Sequence, residues 1–252
     1  IDRRIVQEAL VLIEQGWDGR IVALSFDNED CLDEIEGIPV HRIGLKHVVP
    51  DCPVYWTYQN RNRLINWWGR HQQKLAAANW KLYKLQLLLK YKSRQIYYPL
   101  PFDNAFYTAA SLYKADLVFA HDLPALPTSI KLAREWGSKI IYDAHELYYE
   151  QKVFSRYQKR LMRAVEKEFL PKCDQVFTVN QSIAEEMKKR YGVDHVKVLL
   201  NAIDPPPEFD TSQNYNLLRE HLGISENQLI ILFQGGLYPH RNLNKLVKAM
   251  RY

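Results

Sequence analysis

Two hydrophobic periods alternate along this chain: short continuous apolar runs, separated by stretches in which apolar residues recur every three or four positions. The plainest case is 115–150, ADLVFAHDLPALPTSIKLAREWGSKIIYDAHELYYE. Leu117, Val118, Phe119 and Ala120 form a run too short for a helix and read as a strand. Pro124 and Pro127 open a helix with Ile130, Leu132 and Ala133 among its apolar positions, and Gly137 stops it. Residues 139–143 (KIIYD) are the next strand. Two strands joined by a helix make a βαβ unit, so they should lie parallel in one sheet. A histidine followed by an acid closes each strand, His121-Asp122 and His145-Glu146. Both pairs are therefore expected at the carboxyl edge of the sheet, where α/β proteins build their sites.

The same reading extends in both directions. Residues 1–15 place Ile5, Val6, Ala9, Leu10 and Ile13 on one helical face, ended by Gly16. Residues 20–26 read as a strand, 27–33 as a polar loop and 40–44 as another strand. An alternating pattern would have a strand ahead of the first helix, so the native protein is expected to begin earlier. Residues 50–60 are irregular and aromatic, and 64–91 read as a long helix. A helix over 103–114 leads into the central unit. Beyond it come a helix over 154–170, a strand over 175–179, a helix over 181–191 capped by Gly192, and a strand over 195–200. Strands and helices alternate throughout, which predicts an α/β fold with a parallel, doubly wound sheet. The proline-rich stretch 201–210 (NAIDPPPEFD) suits a linker. After it, 229–233 read as a strand, 234–236 as a tight loop and 242–251 as a helix. This divides the chain into a first domain over 1–202 and the start of a second over 203–252.

Charge changes the picture at one place. The 252 residues carry a net +5, yet 52–102 contain no Asp or Glu and nine Lys or Arg. That segment is +9, which leaves −4 for the rest. On the predicted helix 64–91, Leu75, Ala78, Leu82, Leu85 and Leu89 form an apolar stripe, and Arg70, Lys74, Lys81 and Lys84 follow the same period on another face. Such a helix can lie on an anionic membrane surface, and it can equally be a packed helix with a solvated basic face. Nucleic acid would use the same charge, but no helix-turn-helix, zinc-finger or RNA-binding signature accompanies it. No run of about 18 apolar residues occurs, so no transmembrane helix is expected. The opening residues lack the apolar core of a signal peptide. The three cysteines, Cys31, Cys52 and Cys173, form neither a CxxC nor a zinc pattern, which fits free thiols in a reducing cytosol.

Four segments in order carry a family resemblance: AHDLPALP followed by YDAHEL, then FLPKCDQVFTVNQSIAEEMKKRYGV, VLLNAIDP and ILFQGGLYPHRNLNKLVKAM. Each alone is weak, but their order and spacing resemble the retaining nucleotide-sugar glycosyltransferases of the GT-B fold, family 4. The resemblance runs from Ile1 to Tyr252. It implies two Rossmann-like domains across a cleft, the first binding the acceptor and the second the nucleotide-diphospho-sugar. It also places the family's paired glutamates, E-x7-E, beyond Tyr252, so a chain of this extent is expected not to transfer sugar alone.

Residue by residue, His121 matches the histidine that such enzymes hold in the cleft beside the reacting sugar. An imidazole there can hydrogen-bond a hydroxyl or stabilise an oxocarbenium-like transition state. Asp122 would orient that ring or meet an acceptor hydroxyl, and His145 and Glu146 would contact the acceptor. In the second domain Gly235 and Gly236 would let the backbone approach a phosphate, and the helix that follows favours negative charge. Arg241 matches a basic position that neutralises the diphosphate leaving group. Many relatives carry a second basic residue where this chain has Gly236.

Missing motifs narrow the classes. No Asp-x-Asp pair supports a manganese-dependent transferase. No G-x-G-x-x-G after a strand and no G-x-x-x-x-G-K-[ST] supplies a phosphate cradle, and no G-x-S-x-G supplies a nucleophile elbow. By resemblance the transfer needs no metal and no cofactor beyond its sugar-nucleotide donor. The expected function is transfer to a lipid-linked or glycan acceptor in bacterial surface-polysaccharide assembly, in the cytoplasm or at the inner membrane face. The alternatives are a nucleotide-sugar epimerase of the same fold and a non-catalytic GT-B-like binding subunit.

Overall fold

Strands Leu117–His121 (β4), Lys139–Ala144 (β5), Gln175–Thr178 (β6) and Val196–Val198 (β7) form one sheet in that order. Every neighbouring pair is parallel. The structure is a computed structural model that describes residues 2–25, 29–44, 47, 71, 74, 78, 82, 103–152, 154–202, 205–210, 212–213, 215–237 and 241–250. It divides into two compact units, Ile1–Ala202 and Ile203–Tyr252.

Helices join consecutive strands of this sheet: Asp122–Trp136 (α3), Arg156–Phe169 (α4) and Gln181–Tyr191 (α5). Local chemistry fixes their ends. Ser155 and Gln158 form a capping box that satisfies the first N–H groups of α4. Asn180 caps α5 by accepting from the Ile183 N–H at 2.9 Å. Helices α3 and α5 end on Gly137 and Gly192, with φ of 73° and 67°. Most other residues there would carry a left-handed cost of about 1–2 kcal/mol, Asn and Asp less. Leu123, Leu126 and Ile130 of α3 interdigitate with Tyr142 of β5 and with Leu161 and Val165 of α4, all of them buried. Each such aliphatic side chain contributes roughly 1.5–3 kcal/mol on burial.

Successive residues of β5 face opposite sides, and this sets the layers. Tyr142 Oη donates to Glu166 Oε1 of α4 at 2.7 Å. Its neighbour Asp143 turns the other way and meets Arg4 of the helix Arg3–Glu14 (α1). Helices thus cover both faces, and the fold is a Rossmann-like α/β sheet as the alternation predicts.

A second sheet contains Ile21–Leu24 (β1), Cys31–Ile35 (β2) and Ile38–Ile43 (β3), in the order β1-β3-β2. β1 and β3 are parallel, and β2 and β3 antiparallel. The expected loop over 27–33 is wrong at its end, because Cys31 begins β2. Four of the five β2 residues are exposed, so no apolar alternation betrays it. The signal lies in the turn: Glu36 and Gly37 have φ of 50° and 81°, the paired left-handed geometry that a two-residue hairpin requires. Helix Asp103–Ala110 (α2) packs against α3, where Thr128 Oγ1 donates to the buried Asp103 carbonyl at 3.0 Å.

Of the expected basic helix, His71, Lys74, Ala78 and Leu82 are described, and each is helical and exposed. Leu82 is 50% exposed. Arg70, Lys81 and Lys84 lie outside the described residues.

In the second unit, Leu217–Leu222 (α6) and Leu243–Ala249 (α7) are short helices with no buried residue among those described. The expected strand over 229–233 is absent from the described structure. A strand exists only by pairing its backbone with a neighbour, and none is described there. Leu229 and Leu232 are accordingly 87% and 65% exposed.

Candidate functional site

The register of the parallel sheet sets His121, the last residue of β4, beside Asp143 of β5. Both side chains face α1. His145 follows β5 and folds back on the same carboxylate, its Nε2 2.9 Å from Asp143 Oδ2. His121 Nδ1 lies 3.4 Å from that oxygen. The other carboxylate oxygen of Asp143 accepts from Arg4 Nη2 at 2.5 Å, with the two side chains 0% and 4% exposed. One turn along α1, Glu8 Oε1 accepts from Arg4 Nε at 3.0 Å, and Glu8 Oε2 is 3.7 Å from His121 Nε2. The two imidazoles meet edge to face, their centroids 5.9 Å apart.

Charge is arranged around one fixed anion. Burial pushes the Asp143 carboxyl upward, but the two imidazoles and the Arg4 guanidinium outweigh it and hold it well below the usual carboxylate range. The same contact with Asp143 raises the His145 imidazole above its ordinary value, against its own partial burial. Desolvation raises Glu8, with the Asp143 charge adding to it. Three buried atoms around this centre make no hydrogen bond: Arg4 Nη1, Glu8 Oε2 and His121 Nδ1.

Asp122 stands at the first position of α3 with φ of 58°. Aspartate is among the few residues that tolerate this region. Its Oδ1 accepts the main-chain N–H of His145 at 3.1 Å, which ties the two rim loops together. Desolvation raises its carboxyl above the usual range.

The expected residues of the first unit therefore come together, but not in the expected pairs. Each histidine faces Asp143 rather than the acid that follows it in sequence. Asp122 holds the backbone of His145, and Glu146 is exposed. Asp143, Arg4 and Glu8 are the members that motif reading passes over. Their signal was present: an acid inside an otherwise apolar strand, and two opposite charges four residues apart on α1. Gly235, Gly236 and Arg241 belong to the second unit and are exposed. Gly235 has φ of 141°, and a β carbon on it would touch only the Phe233 ring.

His121, Asp143 and His145 bring one nitrogen or oxygen each within 4.8 Å of one another. Such a group could hold a metal ion, and Arg4 already supplies positive charge to its carboxylate. Two partly exposed imidazoles at a strand edge, each oriented by one carboxylate, can donate to or accept from hydroxyl groups and can carry a proton.

No curated protein sequence matches the chain. Among the described residues no helix is long and apolar enough to cross a membrane. The sequence model of Glycosyltransferase Family 4 matches residues 74–206, more than half of the chain and the whole stretch from β4 to β7. The chain belongs to Glycosyltransferase Family 4.

Proposed function

We propose that this chain carries the acceptor side of a retaining glycosyltransferase, which moves a sugar from a nucleotide-diphospho-sugar to a lipid-linked or glycan acceptor in bacterial surface-polysaccharide assembly. The observation that supports this reading best is the convergence of His121 and His145 on Asp143 at the carboxyl edge of the parallel sheet. Sugar chemistry needs hydroxyl-directed donors and acceptors of fixed orientation beside a group that stabilises developing positive charge. Asp143 holds the His145 ring by a hydrogen bond and lies 3.4 Å from His121, and Glu8 brings a second carboxylate to within 3.7 Å of His121. His121 is the group nearest the reacting sugar in this reading, with Asp122 as the brace of the second loop and His145 and Glu146 toward the acceptor. Gly235, Gly236 and Arg241 serve the donor diphosphate. The reading uses no metal ion and no other cofactor.

The basic segment over 52–102 adds a membrane-facing role at the inner face of the cell membrane, through Arg70, Lys74, Lys81 and Lys84. A lipid-linked acceptor would be met there. Each basic residue at an anionic surface contributes about 1 kcal/mol.

The test is nucleotide release from UDP-, GDP- and CMP-sugars by the full-length protein with a membrane extract, followed alongside labelled product. Release that requires the extract and falls at least about tenfold, roughly 1.4 kcal/mol of barrier, in a folded His121→Ala variant supports transfer. Release without glycosylated product supports epimerase or hydrolytic chemistry instead. No release with any donor leaves a non-catalytic binding subunit.

A further inference from the structure

His121 and His145 each turn one ring nitrogen to Asp143 and the other to a further carboxylate. His121 Nδ1 lies 3.4 Å from Asp143 Oδ2, and its Nε2 lies 3.7 Å from Glu8 Oε2. His145 Nε2 lies 2.9 Å from the same Asp143 oxygen, and its Nδ1 lies 3.6 Å from Asp2 Oδ2 and 4.0 Å from Asp122 Oδ2. Histidines that ligate a metal show this pattern: one nitrogen on the ion, the other N–H held by an acid that fixes the tautomer. Asp143 fits as well. Ligating carboxylates are themselves hydrogen-bonded, and Arg4 takes Oδ1 while both rings face Oδ2.

The spacing agrees. His121, Asp143 and His145 offer one ligand atom each within 4.8 Å of one another. Zinc bonds of about 2.0–2.2 Å at tetrahedral angles set ligand atoms about 3.3 Å apart. The 3.4 Å between His121 and Asp143 meets that as it stands. The 2.9 Å between His145 and Asp143 has only to open by a few tenths of an ångström as one hydrogen bond gives way to two metal bonds.

Two unpartnered atoms point the same way. His121 Nδ1 and Glu8 Oε2 are buried and make no hydrogen bond. An ion on Nδ1 leaves the ring proton on Nε2, aimed at Glu8 Oε2, so a single ion gives both atoms a partner. An imidazolium would face the same two acids, but at 3.4 and 3.7 Å neither contact closes to a hydrogen bond. Charge favours a cation too. Asp143, Glu8, Asp2 and Asp122 bring four carboxylates against the one guanidinium of Arg4. The ligand atoms select its kind: magnesium and calcium take oxygen, whereas two imidazoles with a carboxylate suit zinc and its neighbours.

The geometry points to a binding site for a divalent ion of the zinc class, with His121 Nδ1, Asp143 Oδ2 and His145 Nε2 as ligands and Glu8, Asp2 and Asp122 as the acids behind the rings. A bound ion ties the end of β4 to the end of β5 and, through Glu8, to α1. The site stands whatever the substrate proves to be, since the transfer reading uses no metal.

The test is zinc binding by the untagged protein near neutral pH, titrated against a chromophoric chelator. The wild type should bind one equivalent. His121→Ala and His145→Ala should each weaken that binding by about a hundredfold or more, and Glu8→Gln, which does not touch the ion, by about tenfold or more. Zinc should also raise the thermal midpoint of the wild type and leave that of His121→Ala unmoved, a scan that shows at once whether the variant folds. Diethyl pyrocarbonate modification needs no variant: zinc should protect both His121 and His145 in the wild type. A wild type that takes up no zinc at about 0.1 mM overturns the proposal. So does a zinc affinity unchanged in both alanine variants, or either ring left unprotected by the bound ion.

Discussion

Arg4 and Asp143 stand 139 positions apart in sequence and meet at 2.5 Å with both side chains closed to solvent. Removing one partner takes from the other its most buried counter-charge, leaving Asp143 with the two imidazoles alone or Arg4 with Glu8 alone, a loss of about 3 kcal/mol. Arg4→Met should therefore lower stability by about 3 kcal/mol or more in urea unfolding at pH 7. Arg4→Met with Asp143→Asn should recover part of that loss, since the fully buried carboxylate is then no longer charged, although Glu8 still lacks its Arg4 partner. A double variant no more stable than Arg4→Met would show that the pair is not what holds α1 to the sheet.

Asp122 combines a left-handed backbone with a carboxylate that accepts the His145 N–H. Three substitutions separate the two roles. Asp122→Asn keeps both and should cost less than about 0.5 kcal/mol. Asp122→Gly relaxes the backbone but drops the bond, and should cost about 1 kcal/mol. Asp122→Ala loses the bond and strains the backbone, so it should cost about 2–3 kcal/mol. Equal stability of the Ala and Gly variants would remove strain from the account.

Much of this architecture was legible because one physical signal dominated each segment. The apolar runs at 117–120 and 139–143 have no use except in a buried parallel sheet, and Gly137 and Gly192 mark helix ends that only glycine adopts without strain. β2 escaped because its residues face solvent and have no burial pattern to betray them. The run 229–233 misled for the opposite reason: apolar, β-branched sequence makes a strand only when another strand lies alongside. At the site, the histidines were found by position at the strand ends, but their partners were not. Asp143 sits two residues before His145 and on the neighbouring strand from His121, a relation that parallel register creates and linear spacing does not display. Arg4 and Glu8 reach the same place only through the packing of α1.

Glu166 is a buried carboxyl held by two phenols, Tyr142 Oη at 2.7 Å and Tyr191 Oη at 2.5 Å. Desolvation raises its pKa, and the two hydroxyl donors work against that rise. For an acid whose folded pKa lies above its unfolded value, stability is highest below the unfolded value. It declines as pH rises through the folded one. Tyr191→Phe removes a donor to the charged form, so it should destabilise by about 1–3 kcal/mol at pH 7 and by less at pH 4. Thermal unfolding at the two pH values measures the difference. A loss independent of pH would mean that Tyr191 acts through packing and its bond to Tyr149 Oη, not through the Glu166 charge.

His145 and Asp143 set opposite limits on the pH range over which the site is held together. The raised His145 pKa means that its contribution is complete below the unfolded value of about 6.5 and is lost as pH climbs through the folded value. The lowered Asp143 pKa means that its contribution is complete above about 3.9 and is lost as pH falls through the folded value. Between those limits the imidazolium faces Asp143, Asp122 and Asp2, with Arg4 as the opposing charge. Replacing His145 by Gln keeps an N–H donor of similar reach but no titrating charge. The wild-type protein should then exceed His145→Gln by about 1–2 kcal/mol at pH 6, and the gap should close as pH rises above 6.5. Urea unfolding of both proteins in half-unit steps from pH 5.5 to 8.5 measures it. A constant gap across that range would mean that His145 is held as a neutral ring, and the ion pair with Asp143 would have to be abandoned.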